Sequence, residues 1–264
     1  MIFTQKRDDT LEKQITYIIA TYNSEKTLKR CLESFLAQKL ENFTVIVIDG
    51  GSSDSTISIV KQYPNIVSNY VSEPDTGIYD AFNKGVLLAK TPWISFVGSD
   101  DFLTPNATSI FCEVYGQEDN IDFATGSAQL VNADESMGRV IGEEWSWRRC
   151  RKRMLAIHVG SLHNKQLFND YGLFDTKLMI CGDYDFLLRV GQKLRVFHST
   201  KIVASLSVGG VSDSFRASIE SMKVKLNNKS ASFVMVMLFF LADIYSIFRR
   251  RLIKKIKKCA ITFS

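Results

Sequence analysis

The sequence predicts an α/β fold in which a mostly parallel sheet carries helices on both faces. Short apolar runs rich in β-branched residues alternate with helix-like segments through residues 15–97, an order typical of parallel sheets. One run, FTVIVID at 43–49, is apolar on both faces, as an interior parallel strand is. Three of the runs end directly on polar residues. Because ligands bind beyond the carboxyl ends of such strands, the sequence predicts one shared site at that edge of the sheet.

The predicted elements alternate along this part of the chain. The strands are expected at 15–20, 43–49, 67–71 and 93–97. The helices between them are expected at 28–36, 56–62 and 78–89. The first helix rests on the helical spacing of its apolar residues, which are Leu28, Cys31, Leu32, Phe35 and Leu36.

The middle of the chain gives a weaker pattern. Residues 106–157 mix acids, tryptophans and bases without clear periodicity, so only loop and helix are assigned there. A turn in YGLFD then precedes a helix that is predicted to begin near Asp183. Asp183 and Asp185 fall in its first turn, where the helix dipole favours negative charge.

Composition and charge exclude several classes of protein. The 264 residues are 45% hydrophobic and 23% charged, which indicates a globular chain. The five cysteines are scattered without a CxxC, which argues against a disulfide framework or a zinc ribbon and favours a reducing compartment. Seven basic residues lie in 249–258, and without them the net charge would fall from +5 to −2. Because the positive charge is confined to this segment, no nucleic-acid partner is expected.

The first residues lack an apolar signal segment, so a cytoplasmic location is predicted.

The end of the chain is predicted to be a helical tail. Residues 232–248 are strongly apolar, with Asp243 their only charge, and their length of about 17 residues lies at the lower edge of the ~20 that span a bilayer. The basic run that follows favours a helix lying on an anionic membrane surface. A core or dimer-interface helix and a full span with a cytoplasmic basic flank remain alternatives. The predicted division is a catalytic domain at 1–222 and a membrane-associating tail at 223–264.

Adjacent acids close the strand WISFV. Asp100 and Asp101 follow this buried run, and neighbouring carboxylates disfavour each other's ionisation. A Mn²⁺ or Mg²⁺ ion, which binds through one or two carboxylates and phosphate oxygens, would relieve the repulsion. The sequence therefore predicts a cation at this strand end.

The other polar candidate residues each have a functional and a purely structural interpretation. Asp49, before Gly-Gly, could accept hydrogen bonds from a base ring or could serve only as a turn residue. In EPDTGIYDAFNKG, Lys84 could neutralise a phosphate, or the segment could be an amphipathic helix with a solvated polar face. Asp183 could be a general base or only an acid at a helix N-terminus.

Taken in order, these motifs resemble a known family. TYNSEKTL, VIVIDGGSSDST, EPDTGIYDAFNKG, FVGSDD and GDYDFLLR are similar to the family 2 glycosyltransferases of GT-A fold. The resemblance extends over residues 15–212. The third motif and GGVS at 209–212 look like bacterial members that build lipopolysaccharide, capsule or exopolysaccharide.

The resemblance implies a role for each candidate residue. Asp101 would be the metal ligand and Asp183 the catalytic base. His158 would lie near the acceptor or the diphosphate, although a packed or surface histidine is an equal reading. The predicted nucleotide-sugar-binding residues are Thr21, Tyr22, Asn23, Asp49, Gly50, Asp80, Lys84 and Asp100.

Two positions depart from the common family pattern. Gly98 stands where many members have the first acid of DADD, and Gly182 replaces the glutamate of an ED pair. The QxxRW signature of processive synthases is absent, which predicts transfer of a single sugar. The two glycines are also compatible with an alternative function, in which the protein is a noncatalytic partner that binds nucleotide without turnover.

The implied activity is an inverting, metal-dependent transfer. The donor would be a UDP-sugar, or secondly a GDP-sugar, and the acceptor a saccharide or a polyprenyl-linked saccharide at the inner face of the cytoplasmic membrane. A nicotinamide-dependent enzyme would share the sheet, but no GxGxxG follows the first strand. A receiver-type phosphotransfer module would not need so long a chain or such a tail.

Overall fold

The computed structural model describes residues 14–40, 42–115, 121–132, 134–208 and 214–262. The strands are β1 (Ile15–Thr21), β2 (Phe43–Asp49), β3 (Val67–Ser72), β4 (Trp93–Gly98), β5 (Phe102–Leu103), β6 (Phe123–Val131), β7 (Met137–Ile141), β8 (Ser161–Asn164) and β9 (Val196–Ser207). The helices are α1 (Leu28–Leu36), α2 (Thr56–Val60), α3 (Ile78–Leu88), α4 (Ala107–Tyr115), α5 (Trp147–Cys150), α6 (Gln166–Tyr171), α7 (Gly182–Val190), α8 (Phe215–Asn227) and α9 (Phe233–Thr262). The predicted α/β class is confirmed, and so are the four predicted strands.

The strands form one sheet in the order β3-β2-β1-β4-β8-β6-β9-β5, with β7 paired to β6. β1 lies between β2 and β4 and is parallel to both. In this register Thr21 pairs with Asp49 and Ala20 pairs with Gly98. The polar ends of the three strong strands therefore lie side by side, as the sequence predicted.

The part of the sheet that the sequence left unassigned is mixed. β6 is parallel to β9 and antiparallel to β7 and β8, and β8 is antiparallel to β4. Residues 106–157 thus contain two strands in addition to helices. The β6 sequence FATGSAQLV is rich in small residues, because β9 packs closely on it: a Cβ at Gly126 would come within 2.7 Å of Val203. Small residues in place of alternating apolar ones hide a strand from a periodicity search.

Helices cover the two faces of the sheet with separate apolar cores. On one face Tyr17 packs against Phe35 of α1, with ring centroids 5.1 Å apart. On the other, Ile18 packs under α3, whose Gly85 permits a close approach, since a Cβ there would come within 2.4 Å of Ile18 Cγ2. This contact determines how closely α3 packs on this face of the sheet.

The last two helices follow the sheet. The predicted boundary between 222 and 223 falls inside α8, and α9 packs along α8. Within the ranges described above, no helix is both long and apolar enough to cross a bilayer. Side chains from 250 onward, and GGVS at 209–212, lie outside the described residues. The exposed apolar side chains of α9 are Phe233, Val234, Met235, Leu238, Leu241, Tyr245 and Phe248.

Candidate functional site

A cleft of about 340 Å³ opens at the carboxyl ends of β1 and β4. Its walls come from both strand ends and from the turn that begins α3. The lining residues with polar or aromatic side chains are Thr21, Tyr22, Ser24, Asp75, Ser99 and Asp100. The cleft therefore lies where open α/β sheets bind ligands.

Asp49 lies beneath this cleft and is fully buried. One carboxylate oxygen accepts hydrogen bonds from the hydroxyls of Thr21 (3.0 Å) and Ser52 (2.5 Å). The other accepts from the Ser72 hydroxyl (2.7 Å) and from the backbone N–H groups of Gly51 and Ser52. Burial alone would raise the pKa of Asp49, but these hydrogen bonds lower it below its ordinary value. Asp49 thus holds the loops in place as a carboxylate, and its contact with a base remains a prediction.

The loop after β1 is held by the loop after β2. Asn23 has a φ of 48°, its N–H donates to Ser52 Oγ (2.8 Å), and its side-chain oxygen accepts from the Ser53 N–H (3.0 Å). Tyr22, next to it, is 66% exposed at the edge of the cleft. An exposed ring held beside a cleft offers a platform on which a base can stack.

Gly50 lies against Asp75. A Cβ at Gly50 would come within 2.7 Å of Asp75 Oδ2, so a side chain at position 50 would displace that carboxylate. Asp75 also accepts from the Gly77 N–H (3.0 Å), which orients the turn into α3. The Ser24 and Ser99 hydroxyls, which also line the cleft, are 2.8 Å apart and join the loop after β1 to the loop after β4. Sequence reasoning did not assign Ser24, Asp75 and Ser99 to the site, because short polar residues in loops carry no periodic signal.

Asp80 and Lys84 project from α3 outside the residues that line the cleft. Lys84 Nζ lies 2.8 Å from Glu73 and 3.9 Å from Asp80, and it donates to the Pro74 carbonyl (3.2 Å). The hydrogen bond to Glu73 raises the pKa of Lys84. Lys84 is therefore charged, and a phosphate would have to compete with Glu73 for it.

Asp100 and Asp101 converge over Gly98. A Cβ at Gly98 would come within 2.8 Å of Asp101 Oδ2 and 3.0 Å of Asp100 Oδ1. An acidic side chain at position 98 would crowd both carboxylates in this arrangement, which accounts for the glycine. Asp101 Oδ1 accepts from the Ser207 N–H (3.3 Å), and the Arg30 guanidinium bonds to the Asp100 carbonyl (3.2 Å).

These two carboxylates fit a divalent cation. Burial, together with the nearby charge of Asp100, raises the pKa of Asp101 to about 7. The described residues contain no cluster of three or more potential ligands. Mn²⁺ and Mg²⁺ are commonly held by one or two carboxylates, with phosphate oxygens and water supplying the other ligands. The donor set matches that arrangement.

The raised pKa of Asp101 predicts a pH dependence of stability. A carboxyl with a higher pKa when folded stabilises the chain fully below its unfolded pKa near 4. That contribution is lost as pH rises through about 7. Without metal, the free energy of unfolding of the wild type should therefore fall from pH 4 to 8 relative to that of Asp101→Asn. Urea denaturation of both proteins at each pH measures the difference, and parallel curves would contradict the burial of this carboxyl.

Asp183 lies in the first turn of α7, close to residues from two other elements. Its Oδ1 accepts from the Tyr79 hydroxyl (3.2 Å) and from the Tyr184 N–H (2.8 Å). Its Oδ2 lies 3.9 Å from Nδ1 of His158. Gly77, which lines the cleft, also lies beside Met179, since a Cβ there would come within 3.1 Å of its terminal methyl. The segment before α7 is therefore next to the cleft.

His158 is packed into the aromatic core behind Asp183. Its ring stacks on Phe96 with centroids 5.0 Å apart, and its Nε2 is buried without a hydrogen-bond partner among the described residues. Burial lowers the pKa of His158, and the Asp183 charge only partly opposes this shift. His158 is thus positioned as a neutral neighbour of Asp183, and its contact with acceptor or diphosphate remains a prediction.

Tyr79 explains the glycine at position 182. A Cβ at Gly182 would come within 2.8 Å of the Tyr79 ring. The single proton of the Tyr79 hydroxyl is shared between the Ile180 carbonyl (2.8 Å) and the Asp183 carboxylate (3.2 Å). Tyr79 was missed by sequence reasoning, since an aromatic residue at helical spacing is indistinguishable from an ordinary core residue.

Gly182→Glu should therefore lower the stability of the protein, although it restores the pair of acids common in the family. We expect a loss of about 1–3 kcal/mol of unfolding free energy from overpacking. In a Tyr79→Ala background the same change should cost less, because the space is then open. Urea denaturation of the single and double variants tests this. A Gly182→Glu protein as stable as the wild type would contradict the packing.

Comparison with known proteins was made for sequence and for structure. The family model described as glycosyl transferase family 2 matches residues 16–164. A PGL/p-HBAD biosynthesis glycosyltransferase of Mycobacterium tuberculosis is 30% identical over 176 residues, which cover 65% of this chain and 67% of that protein. The chondroitin synthase of Pasteurella multocida is 26% identical over 194 residues, covering 71% of this chain and 20% of the synthase.

Two solved structures have a similar fold. Staphylococcus aureus TarS 1–349 in complex with UDP-GlcNAc is 20% identical, with a TM-score of 0.66 over 88% of this chain and 73% of that one. The mannosyltransferase PcManGT of Pyrobaculum calidifontis, in complex with GDP-Man and Mn²⁺, is 12% identical, with a TM-score of 0.64 over 97% of this chain and 82% of that one. These likenesses confirm the predicted GT-A fold.

Proposed function

The chain belongs to glycosyl transferase family 2, and from this membership we propose that it transfers one sugar from a nucleotide-sugar to a saccharide or lipid-linked saccharide acceptor with inversion at the anomeric carbon. The observation that carries the proposal is the pair Asp100 and Asp101 beside a cleft at the strand ends, with Asp183 bonded to Tyr79 of α3, the helix whose first turn lines that cleft. A nucleotide diphosphate needs a cation where it leaves, and an attacking hydroxyl needs a base. The chain has candidates for both.

Asp183 is the proposed base. It would accept the proton of an acceptor hydroxyl while that oxygen forms a bond to the anomeric carbon of the donor. The bond between that carbon and the nucleotide diphosphate breaks on the opposite face, and its electrons leave with the diphosphate. The Tyr79 hydroxyl and the Tyr184 N–H both donate to Asp183 Oδ1, so the carboxylate is oriented before the acceptor arrives.

Asp101, assisted by Asp100, is the proposed cation ligand. A bound Mn²⁺ or Mg²⁺ would supply Lewis-acid stabilisation of the negative charge that develops on the diphosphate. The Ser207 N–H, which donates to Asp101 Oδ1, keeps this carboxylate at the strand end. Lys84 would add a second positive charge near the phosphates after exchanging its partner Glu73.

The donor is proposed to be a UDP-sugar, with a GDP-sugar as second choice. The TarS structure contains UDP-GlcNAc and the PcManGT structure contains GDP-Man with Mn²⁺, so this fold accommodates both nucleotides. A base would stack on Tyr22 above the loop that Asp49 holds.

The acceptor is proposed to belong to surface polysaccharide or glycolipid synthesis. Similar proteins carry the names PGL/p-HBAD biosynthesis glycosyltransferase and chondroitin synthase. The exposed apolar side chains of α9 and the basic run at 249–258 support contact with the inner face of the cytoplasmic membrane. A lipid-linked acceptor would be met there.

A noncatalytic nucleotide-binding partner is the second candidate, because Gly98 and Gly182 replace two acids that many family members have. Incubation of the full chain with UDP- and GDP-sugars, Mn²⁺ and lipid-linked acceptors from bacterial membranes separates the two functions. Release of nucleotide diphosphate together with a glycosylated product of opposite anomeric configuration supports the enzyme. Nucleotide binding without release under all these conditions favours the partner.

A further inference from the structure

A second pocket, of about 270 Å³, is lined by residues that do not line the first cleft. It is bounded by the start of α7, by α8 and by α9. Asp183 lines this pocket, and the residues that line the first cleft do not. We propose that this pocket binds the terminal sugar ring of the acceptor and that the tail helix α9 forms one of its walls. The inference rests on the proposed function, since it assigns a ligand to a pocket whose lining includes Asp183, the proposed base of the transfer.

The lining of the pocket suits a neutral polyhydroxyl ligand. Asp183 and Asp243 supply carboxylates and Lys225 supplies an ammonium, while the Arg153 guanidinium is paired with Glu143 at 2.7 Å. Serine hydroxyls from α8 and α9 lie between them, among them Ser221. Each sugar hydroxyl both donates and accepts hydrogen bonds, and this lining offers acceptors, donors and groups that do both. A phosphate would instead face two carboxylates, which disfavour an anion.

Lys225 is the buried donor of the pocket. Its side chain is only 1% exposed, and its Nζ lies 3.8 Å from Asp243 Oδ2 and 5.9 Å from the centre of the Tyr184 ring. Burial lowers the pKa of Lys225, and Asp243 opposes the shift. At 3.8 Å the contact with Asp243 is too long for a hydrogen bond. An ammonium has three N–H donors, so Lys225 can bond to a ligand while it keeps this ion pair.

Asp243 makes the tail helix part of the pocket. It is the only charged residue in the run 232–248, and it projects from α9 toward Lys225 of α8. Its side chain is 43% exposed, so it can meet a ligand that enters from solvent. Other faces of α9 carry exposed apolar residues such as Leu241 and Tyr245. A helix proposed to lie on the membrane would thereby present a lipid-linked sugar directly to the base.

Hydrogen bonds fix this wall relative to Asp183. The Glu220 carboxylate of α8 accepts from the backbone N–H groups of Met179 (2.8 Å), Ile180 (2.6 Å) and Cys181 (2.6 Å). These residues immediately precede α7, which carries Asp183. Charge-assisted bonds of this kind are short and strong. These bonds join the α8 wall of the pocket to the segment that leads into the helix carrying Asp183.

Saturation-transfer NMR on the full chain tests the inference, with nucleotide and Mg²⁺ present. The probes are methyl glycosides of glucose, galactose, mannose and N-acetylglucosamine. Inorganic phosphate serves as the competing probe. We expect at least one glycoside to bind and Ser221→Phe, which fills the pocket, to abolish its signal. Asp243→Asn should weaken its binding about tenfold, the effect of losing one charged hydrogen bond. Lys223→Ala, at an exposed position of α8, and Asp170→Asn, an exposed carboxylate on α6, are controls that should leave the signal unchanged.

The outcomes separate this inference from the proposed function. Three results would refute the sugar subsite and leave the nucleotide site standing. In the first, nucleotide binds but no glycoside does. In the others, Ser221→Phe leaves the glycoside signal intact or phosphate displaces the glycoside. If nucleotide fails to bind while a glycoside signal disappears in Ser221→Phe, the subsite stands and the proposed transfer falls. Asp243→Asn alters a partly exposed residue without changing its size, so the test does not depend on Ser221→Phe being folded.

Discussion

Asp183→Asn should lower kcat by about 10²–10⁴-fold, the usual contribution of a positioned general base. The amide keeps the shape of the side chain and can still accept from the Tyr79 hydroxyl, but it cannot take the proton of the acceptor. Since Asp183 lies outside the cleft that is proposed to hold the donor, the Kd of the nucleotide should stay close to that of the wild type. Initial rates at saturating donor and acceptor, together with nucleotide titrations, measure the two effects.

Asp175→Asn is the matched control. Asp175 is an exposed acid in the turn before α7, and its carboxylate accepts a hydrogen bond from the nearby Lys177 N–H. Its replacement should leave kcat unchanged. A nearly full rate for Asp183→Asn, with the fold intact by circular dichroism, would remove Asp183 from the chemistry and direct the search for a base to other residues of the second pocket.

Asp101→Asn should abolish the part of nucleotide affinity that depends on Mn²⁺. The amide is a weaker ligand than the buried carboxylate, and the loss of one charged contact costs about 1.5–3 kcal/mol, or roughly 10–100-fold in Kd. Turnover should fall at least as far, because the leaving diphosphate loses its counter-charge.

Asp100→Asn provides the comparison, since Asp100 is exposed while Asp101 is largely enclosed. Its effect on Mn²⁺-dependent binding should be smaller. Thermal-shift titrations with Mn²⁺ at fixed UDP rank the two variants. If Asp100→Asn loses more metal dependence than Asp101→Asn, the order of the two ligands is reversed.

The first half of the fold was predictable because its information is local. FTVIVID, with apolar residues on both faces, could only be an interior strand, and the register then places Asp49 beside Thr21. Adjacent acids such as Asp100 and Asp101 are costly unless something binds them. Motif order along the chain therefore indicated the sheet, its active edge and the family.

The second half depends on contacts between residues distant in sequence. β6 pairs with β9 more than seventy positions away, as in Phe123 with Val196, and its small residues give no alternating pattern. The Tyr79–Asp183 hydrogen bond joins residues 104 positions apart and was equally hidden. Asp49 could be assigned to the site from its position, but the hydrogen bonds that occupy both its oxygens could not.

The tail illustrates the same limit. Its sequence indicated an apolar helix with a single acid, Asp243, and a basic end. That the acid would pair with Lys225 of α8, at the edge of a pocket shared with Asp183, follows only from packing. Membrane association of this helix remains a prediction.

Calorimetric titration of the wild-type chain with UDP and with GDP, each with and without Mn²⁺, tests the nucleotide-sugar site most directly. We predict that one nucleotide binds tightly only when Mn²⁺ is present, and that Asp101→Asn loses this dependence. Failure of both nucleotides to bind a folded wild-type chain, with or without Mn²⁺, would contradict the site.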